Sequence, residues 1–262
     1  MLIQEVCDWL DRFAPTHLAE DWDNVGLLVG DGAAEVSSIM TCLTVTPESC
    51  AEAIKEGAQL IVTHHPMPFR PVKRLTREGT PGSLLLDLIR AGVAIHSPHT
   101  AFDSAKAGIN QMLAEALGCD AIEPLLPNED DPTVGSGRVG SFDSPCTLDE
   151  VAARLSGHLK IDGMHQVGSS SDSIQRVAFA CGSGGSFLSS AANAKCELMV
   201  TGETTFHTCL EAQATGMALL LPGHFASERF AVEKLAELLR EEFGQLKVWA
   251  ARDEKDPLVW RS

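Results

Sequence analysis

Nowhere in its 262 residues does the chain run through about eighteen uninterrupted apolar residues, so no membrane-spanning helix is expected. The opening stretch MLIQEVCDWLDRF lacks the basic and then apolar segments of a signal peptide; it carries Glu5, Asp8 and Asp11 instead. The chain is therefore expected to be cytoplasmic. Basic residues are scarce, with 20 Lys+Arg against 36 Asp+Glu and a formal charge of −16. Such a surface repels phosphate backbones and anionic lipid, so neither nucleic acid nor a membrane is an expected partner. An anionic small molecule would need a local island of positive charge or a metal. The eight cysteines, at 7, 42, 50, 119, 146, 181, 196 and 209, include no CxxC pair. They read as reduced, mostly buried thiols, not as a disulfide frame or zinc ribbon. Tandem repeats and low-complexity tracts are absent. What remains, 44% hydrophobic and 21% charged, is the composition of a globular protein of one or two domains.

Apolar residues at helical spacing (Leu2, Ile3, Val6, Cys7, Leu10, Phe13) predict an opening amphipathic helix. Apolar runs predict strands at 25–29, 38–46, 59–63 and 93–95, and helices are expected at 47–57, 83–90 and 106–117. The Pro-, Asp- and Gly-rich stretch 124–137 is the best candidate for a domain boundary. Beyond it, strands are expected at 138–142, 176–180, 197–201 and 217–221. Helices are expected after the capping box Thr147/Glu150, at 187–194 and at 226–243. This alternation predicts an α/β fold with mostly parallel sheets flanked by helices, in which ligands gather beyond the carboxyl ends of strands.

Candidate chemistry sits at those ends. His64 and His65 directly follow a buried strand, and read either as surface loop histidines or as ligands of two neighbouring metal ions. His99 and Asp103 follow the next strand, where Asp103 could instead cap a helix. His224 and Glu228, four apart where a strand gives way to a helix, share one helical face and form either a helix-end pair or a donor set for Zn, Mn or Fe. Taken together, three imidazoles (His64, His65, His224) and two carboxylates (Asp103, Glu228) exceed what one open tetrahedral zinc needs. They suit two divalent ions about 4 Å apart. The loop carrying Arg70, Lys73, Arg74 and Arg77 reads as a clamp for substrate phosphate, or as a solvated or subunit-contact loop. Glu203 and His207 could stand behind the ligands or relay protons, or simply begin a helix. The turn Gly182-Ser183-Gly184-Gly185 lacks a Walker lysine and reads as a tight structural turn.

In order along the chain stand DWDNVGLLVGD, THHP, HTAFD, TGETTFH and GHFASE. Together they resemble the NIF-three-like family, whose members are often named GTP cyclohydrolase I type 2 homologues. The resemblance spans nearly the whole chain and matches the short form without an inserted domain. It implies a two-lobed fold, with residues 1–125 plus 223–262 as a metal-binding lobe and 126–222 as the second. It also implies a dinuclear metal centre in a homohexamer. Carried over, His64, His65, Asp103, His224 and Glu228 are its ligands, Glu228 bridging, with His99 beside them. Thr44 stands where Asp is common in the family, His96 where Tyr is common, and Ala101-Phe102 where Asn-Leu is common. None of these removes a ligand. The expected activity is metal-dependent hydrolysis of a nucleotide-like or other phosphorylated small molecule; the alternative is a metal-binding scaffold or regulator without turnover.

Overall fold

The computed structural model describes residues 1–259. They divide into two compact units, one made of Met1–Phe102 with Ala231–Pro257 and the other centred on Asp103–Phe230. None of the described helices is long and apolar enough to cross a membrane.

The first unit is built on a five-stranded sheet ordered Gly26–Val29, Ala94–Ser97, Leu60–Thr63, Ser38–Cys42, Lys247–Ala250. The last four run parallel, and Gly26–Val29 joins the edge antiparallel. Every residue of the three inner strands SIMTC, LIVT and AIHS is buried, including the polar Ser38, Thr41, Thr63, His96 and Ser97, as in a parallel sheet covered on both faces. Met40, Ile61, Leu85, Leu88, Ile95 and Trp249 pack into one core cluster. The helix Ile3–Phe13 buries Ile3, Val6, Cys7 and Leu10, the side its spacing predicts. The helix Pro47–Glu56 starts with proline where no amide donor is needed. Thr46 caps it by accepting from the Ser49 amide, and Gly57, at φ 73°, ends it in the left-handed conformation. Because the inner strands are parallel, Leu43-Thr44, His64-His65 and Pro98-His99 all emerge at one edge of the sheet.

The second unit holds a six-stranded sheet ordered Asp120–Glu123, Arg138–Thr147, Ser173–Ala180, Leu198–Thr201, Ala218–Leu221, His165–Val167. Ser173–Ala180, Leu198–Thr201 and Ala218–Leu221 are parallel, and the outer strands add antiparallel pairings on both sides. The parallel trio again sends its carboxyl ends to one edge, delivering Cys181-Gly182, Gly202-Glu203 and Gly223-His224. The predicted capping box is present: Thr147 accepts from the Glu150 amide and Glu150 accepts from the Thr147 amide, opening the helix Leu148–Leu159.

Two local features add to the sequence expectation. The helix expected at 106–117 is present as Ile109–Ala116, and a further short helix, His99–Ser104, stands before it, separated by a break at 105–108. The break is held by Arg138, which is 1% exposed and donates to the carbonyls of Ser104 (3.1 Å) and Ala105 (2.6 Å). The stretch 124–137 connects two strands that pair within one sheet, and it carries its own small ladder, Leu126–Pro127 with Gly135–Ser136. The two compact units part at Phe102/Asp103 and Phe230/Ala231, inside the helices His99–Ser104 and His224–Glu242.

Candidate metal centre

In the first unit, the backbone keeps its sheet pairing one step past the strand: the His64 amide donates to Cys42 O at 3.0 Å and the His65 amide to Leu43 O at 2.8 Å. This fixes two consecutive imidazoles at the sheet edge. The following helix supplies a third. Ring centroids are 5.1 Å apart for His64–His65, 5.1 Å for His64–His99 and 5.7 Å for His65–His99. Each of the three offers a ring nitrogen, and these nitrogens lie within 4.8 Å of one another, close enough to hold a metal ion. His64 is 2% exposed, so its ring is held by packing.

Two neighbours orient these rings. His65 Nδ1 shares a 2.7 Å hydrogen bond with the Thr44 hydroxyl. Thr44 itself is set by Glu254, whose carboxylate accepts from the amides of Leu43 (2.9 Å) and Thr44 (2.7 Å). His99 Nδ1 lies 2.7 Å from Asp23 Oδ1, and Asp23 also accepts from the Thr100 amide and hydroxyl. Burial pushes the Asp23 carboxyl up, but the hydrogen bonds from His99 and Thr100 outweigh it and hold the group down to about 2. Asp23 is therefore an acceptor only, and His99 Nδ1 must donate. In the neutral ring that makes Nε2 the acceptor nitrogen. His99 has φ 26°, an uncommon conformation for a side-chain-bearing residue, and the Asp23 bonds help to hold it.

In the second unit, His224 opens a helix and Glu228 stands one turn on, with His224 Nε2 3.1 Å from Glu228 Oε2. His224 Nδ1 lies 3.0 Å from Glu203 Oε1. The Glu228 hydrogen bond, partly opposed by burial and reinforced by Glu203, raises the imidazole to about 9. Glu228 is 3% exposed. Glycine makes room for it: a Cβ on Gly182, at φ 62°, would stand 2.2 Å from Glu228 Oε1 and 3.3 Å from His224 Nε2. The Gly182 amide donates to Ser227 Oγ at 3.0 Å, and that hydroxyl donates to His224 O at 2.8 Å. Asp103 accepts from Cys181 Sγ at 3.3 Å. Burial, then the charges of Asp103 and Glu228, push the Cys181 thiol well up, so it acts here as a hydrogen-bond donor. Imidazole and carboxylate donors without thiolate suit Zn, Mn or Fe. The protein thus presents His and Glu groups that could hold a metal ion.

The remaining candidates are on the surface. Arg70, Lys73 and Arg74 are exposed on their loop, and Arg77 pairs with Asp87 at 2.5 Å. His207 is exposed on the helix Phe206–Thr215, its ring 5.8 Å from that of Phe206. All eight cysteines are free thiols and five are buried. Asp23, Thr44, Glu254 and Cys181 have no signal in local spacing, since their partners are 21 to 211 residues away.

The profile of the family described as Duf34/NIF3 (NGG1p interacting factor 3) matches residues 1–257. A Clostridium perfringens protein named GTP cyclohydrolase 1 type 2 homolog is 31% identical, with 98% of each chain covered. A Helicobacter pylori protein named GTP cyclohydrolase 1 type 2 is 35% identical over 91% of each. Among solved structures, a hypothetical protein of Staphylococcus aureus superposes with a TM-score of 0.91 at 28% identity, covering 100% of this chain and 99% of that one. A Bacillus cereus protein related to NIF3 shares the fold, with a TM-score of 0.90 at 21% identity over 100% and 99% of the two chains.

Proposed function

The chain belongs to the Duf34/NIF3 family, and from that premise we propose that it is a metal-dependent hydrolase of a nucleotide-like or other phosphorylated small molecule. The observation that carries this reading is the convergence of His64, His65 and His99 at one sheet edge. The GTP cyclohydrolase naming of relatives at 31% and 35% identity supports a nucleotide as the substrate. In this proposal His64, His65, Asp103, His224 and Glu228 hold two divalent ions, zinc, iron or manganese. Such ions, when bound, supply a water nucleophile near neutral pH and polarise the attacked centre.

The chain's own residues do the rest. Asp23 holds His99 with Nε2 free to accept a proton. Glu203 takes the hydrogen bond from His224 Nδ1, fixing that ring and offering a carboxylate that can pass a proton on. His207 is a second candidate relay. Arg70, Lys73 and Arg74 hold substrate phosphate, in a chain whose net charge of −16 otherwise repels it. The proposal places the protein in the cytoplasm as a homohexamer acting on a small molecule rather than on nucleic acid, in keeping with its charge and the family resemblance.

The test offers purified, metal-loaded protein GTP and a panel of phosphoesters. Turnover that disappears with a chelator and in His64→Ala is expected. Turnover that survives His64→Ala overturns the reading, and metal binding without any turnover favours a scaffold or regulator.

A further inference from the structure

Beside the three-histidine cluster lie two large rings that the histidine chemistry does not use. Trp22 is 61% exposed and Phe69 is 43% exposed. Their centroids are 6.0 Å apart and their planes open at 51°. Both turn toward the same imidazole: Trp22 meets His99 edge-on at 6.1 Å and Phe69 meets it edge-on at 6.3 Å. Exposed aromatic rings of this size cost solvation free energy unless something covers them.

The rings are also held in place. Asn24 Nδ2 donates to Pro68 O at 2.7 Å, tying the residues after Trp22 to the residue before Phe69. Asp23 is fixed by its bonds to His99 and Thr100. Three consecutive residues thus present one ring and two anchors, so ordering is largely complete before any ligand arrives. Directly after Phe69 come Arg70, Lys73 and Arg74, exposed cations in an acidic chain. A pair of exposed aromatic faces joined to a cationic loop complements a molecule with a planar ring at one end and phosphate at the other.

We propose that Trp22 and Phe69 bind the heteroaromatic base of a nucleotide, stacking it beside His99 while Arg70, Lys73 and Arg74 take its phosphate. The proposal deepens the hydrolase reading and rests on it for the substrate class. Stacking on an aromatic side chain tolerates any base, because every base has a π face. Trp22 and Phe69 therefore select for a base, and other contacts choose which one.

The test compares binding of GMP and AMP with binding of ribose 5-phosphate, which has the same sugar and phosphate but no base, to the metal-loaded full chain. Wild type is expected to bind at least one nucleotide about tenfold or more tightly than ribose 5-phosphate. Trp22→Leu and Phe69→Leu should each erase most of that preference, Trp22→Phe should restore it, and ribose 5-phosphate affinity and metal content should not move. Quenching of tryptophan fluorescence by GMP should be lost in Trp22→Phe, although binding is kept. Equal affinity for nucleotide and ribose 5-phosphate overturns the proposal. So does unchanged nucleotide affinity in both leucine variants, or a changed assembly state in Trp22→Leu with nucleotide affinity intact. Turnover of the phosphoester panel is measured in parallel. Base-dependent binding through Trp22 without turnover sustains this inference and removes the hydrolase reading; turnover with no effect of either leucine variant removes only the inference.

Discussion

Asp23 Oδ1 accepts a hydrogen bond from His99 Nδ1 at 2.7 Å, across 76 residues of sequence. The carboxylate makes that ring a donor at Nδ1 and, in the neutral ring, leaves Nε2 as the acceptor. Asp23→Asn keeps the shape but removes the charge that strengthens Nε2 as a base. The three histidines together could hold an ion, and if His99 takes part in it Zn2+ affinity falls about 10- to 100-fold, the usual effect of losing such a partner. Titration calorimetry with Zn2+ on wild type and variant measures it, and equal affinities would show that Asp23 does not tune the cluster.

Gly182 lies against the second group of donors. Alanine there would place its Cβ 2.2 Å from Glu228 Oε1, and it would have to hold φ 62°. The atom it meets is the end of a side chain, so the carboxylate can swing away while the backbone stays. Gly182→Ala should fold with a loss of about 1–3 kcal/mol, mostly from backbone strain. Its metal content should fall far more than its stability. Metal analysis beside thermal melting separates the two effects; a variant with full metal content would mean that Glu228 tolerates displacement.

The features legible in the sequence are those written in consecutive residues or in one helical turn. LIVT followed at once by His64-His65 announces a buried strand delivering two imidazoles, and Thr147/Glu150 announces a helix start. His224 and Glu228 meet because residues four apart on a helix must. What stayed hidden depends on tertiary contact. Asp103 meets Cys181 across 78 residues, and Glu254 reaches Thr44 across 210. The helix Phe206–Thr215 buries only Ala212, so it carries almost no apolar period to read. The strand Lys247–Ala250 is four residues long and opens on a lysine, too short to stand out before its parallel pairing with Ser38–Cys42 is known.

The buried thiols give a pH prediction away from the candidate ligands. Burial pushes Cys7 and Cys196 from 9.0 up to about 11, and Cys119 up to about 12. Unfolded thiols lose their protons near 9, whereas the folded ones keep them. The unfolded chain therefore binds fewer protons above that pH, and stability falls as pH rises. Thermal midpoints should hold up to about pH 9 on this account and then decline between 9 and 11–12. Cys119→Ala should flatten the decline, although the cavity it leaves lowers stability at every pH. A decline equally steep in wild type and Cys119→Ala would assign the alkaline loss to other groups.

Arg138 is the largest fully buried side chain among the described residues, and it faces carbonyls in place of a carboxylate. Its guanidinium donates to Gly135 O and Gly137 O at 2.7 Å each, to Ser104 O and Ala105 O at 3.1 and 2.6 Å, and to Gln111 Oε1 at 3.1 Å. Burial lowers its pKa to about 10, which still leaves it charged at neutral pH. The arrangement needs a planar fork with five donors. Lysine has three, on a point charge, and cannot reach the same carbonyls. Arg138→Lys should therefore cost about 3–5 kcal/mol, the range for breaking a buried charged network. Urea unfolding gives that number directly. The second consequence is local: Ser104 and Ala105 follow Asp103, so loosening their carbonyls frees the Asp103 backbone as well. In Arg138→Lys the Cys181–Asp103 bond should weaken, and Cys181 should react faster with a thiol reagent than it does in a control variant of equal stability. Unchanged Cys181 reactivity would confine Arg138 to holding the loop, with no reach to Asp103.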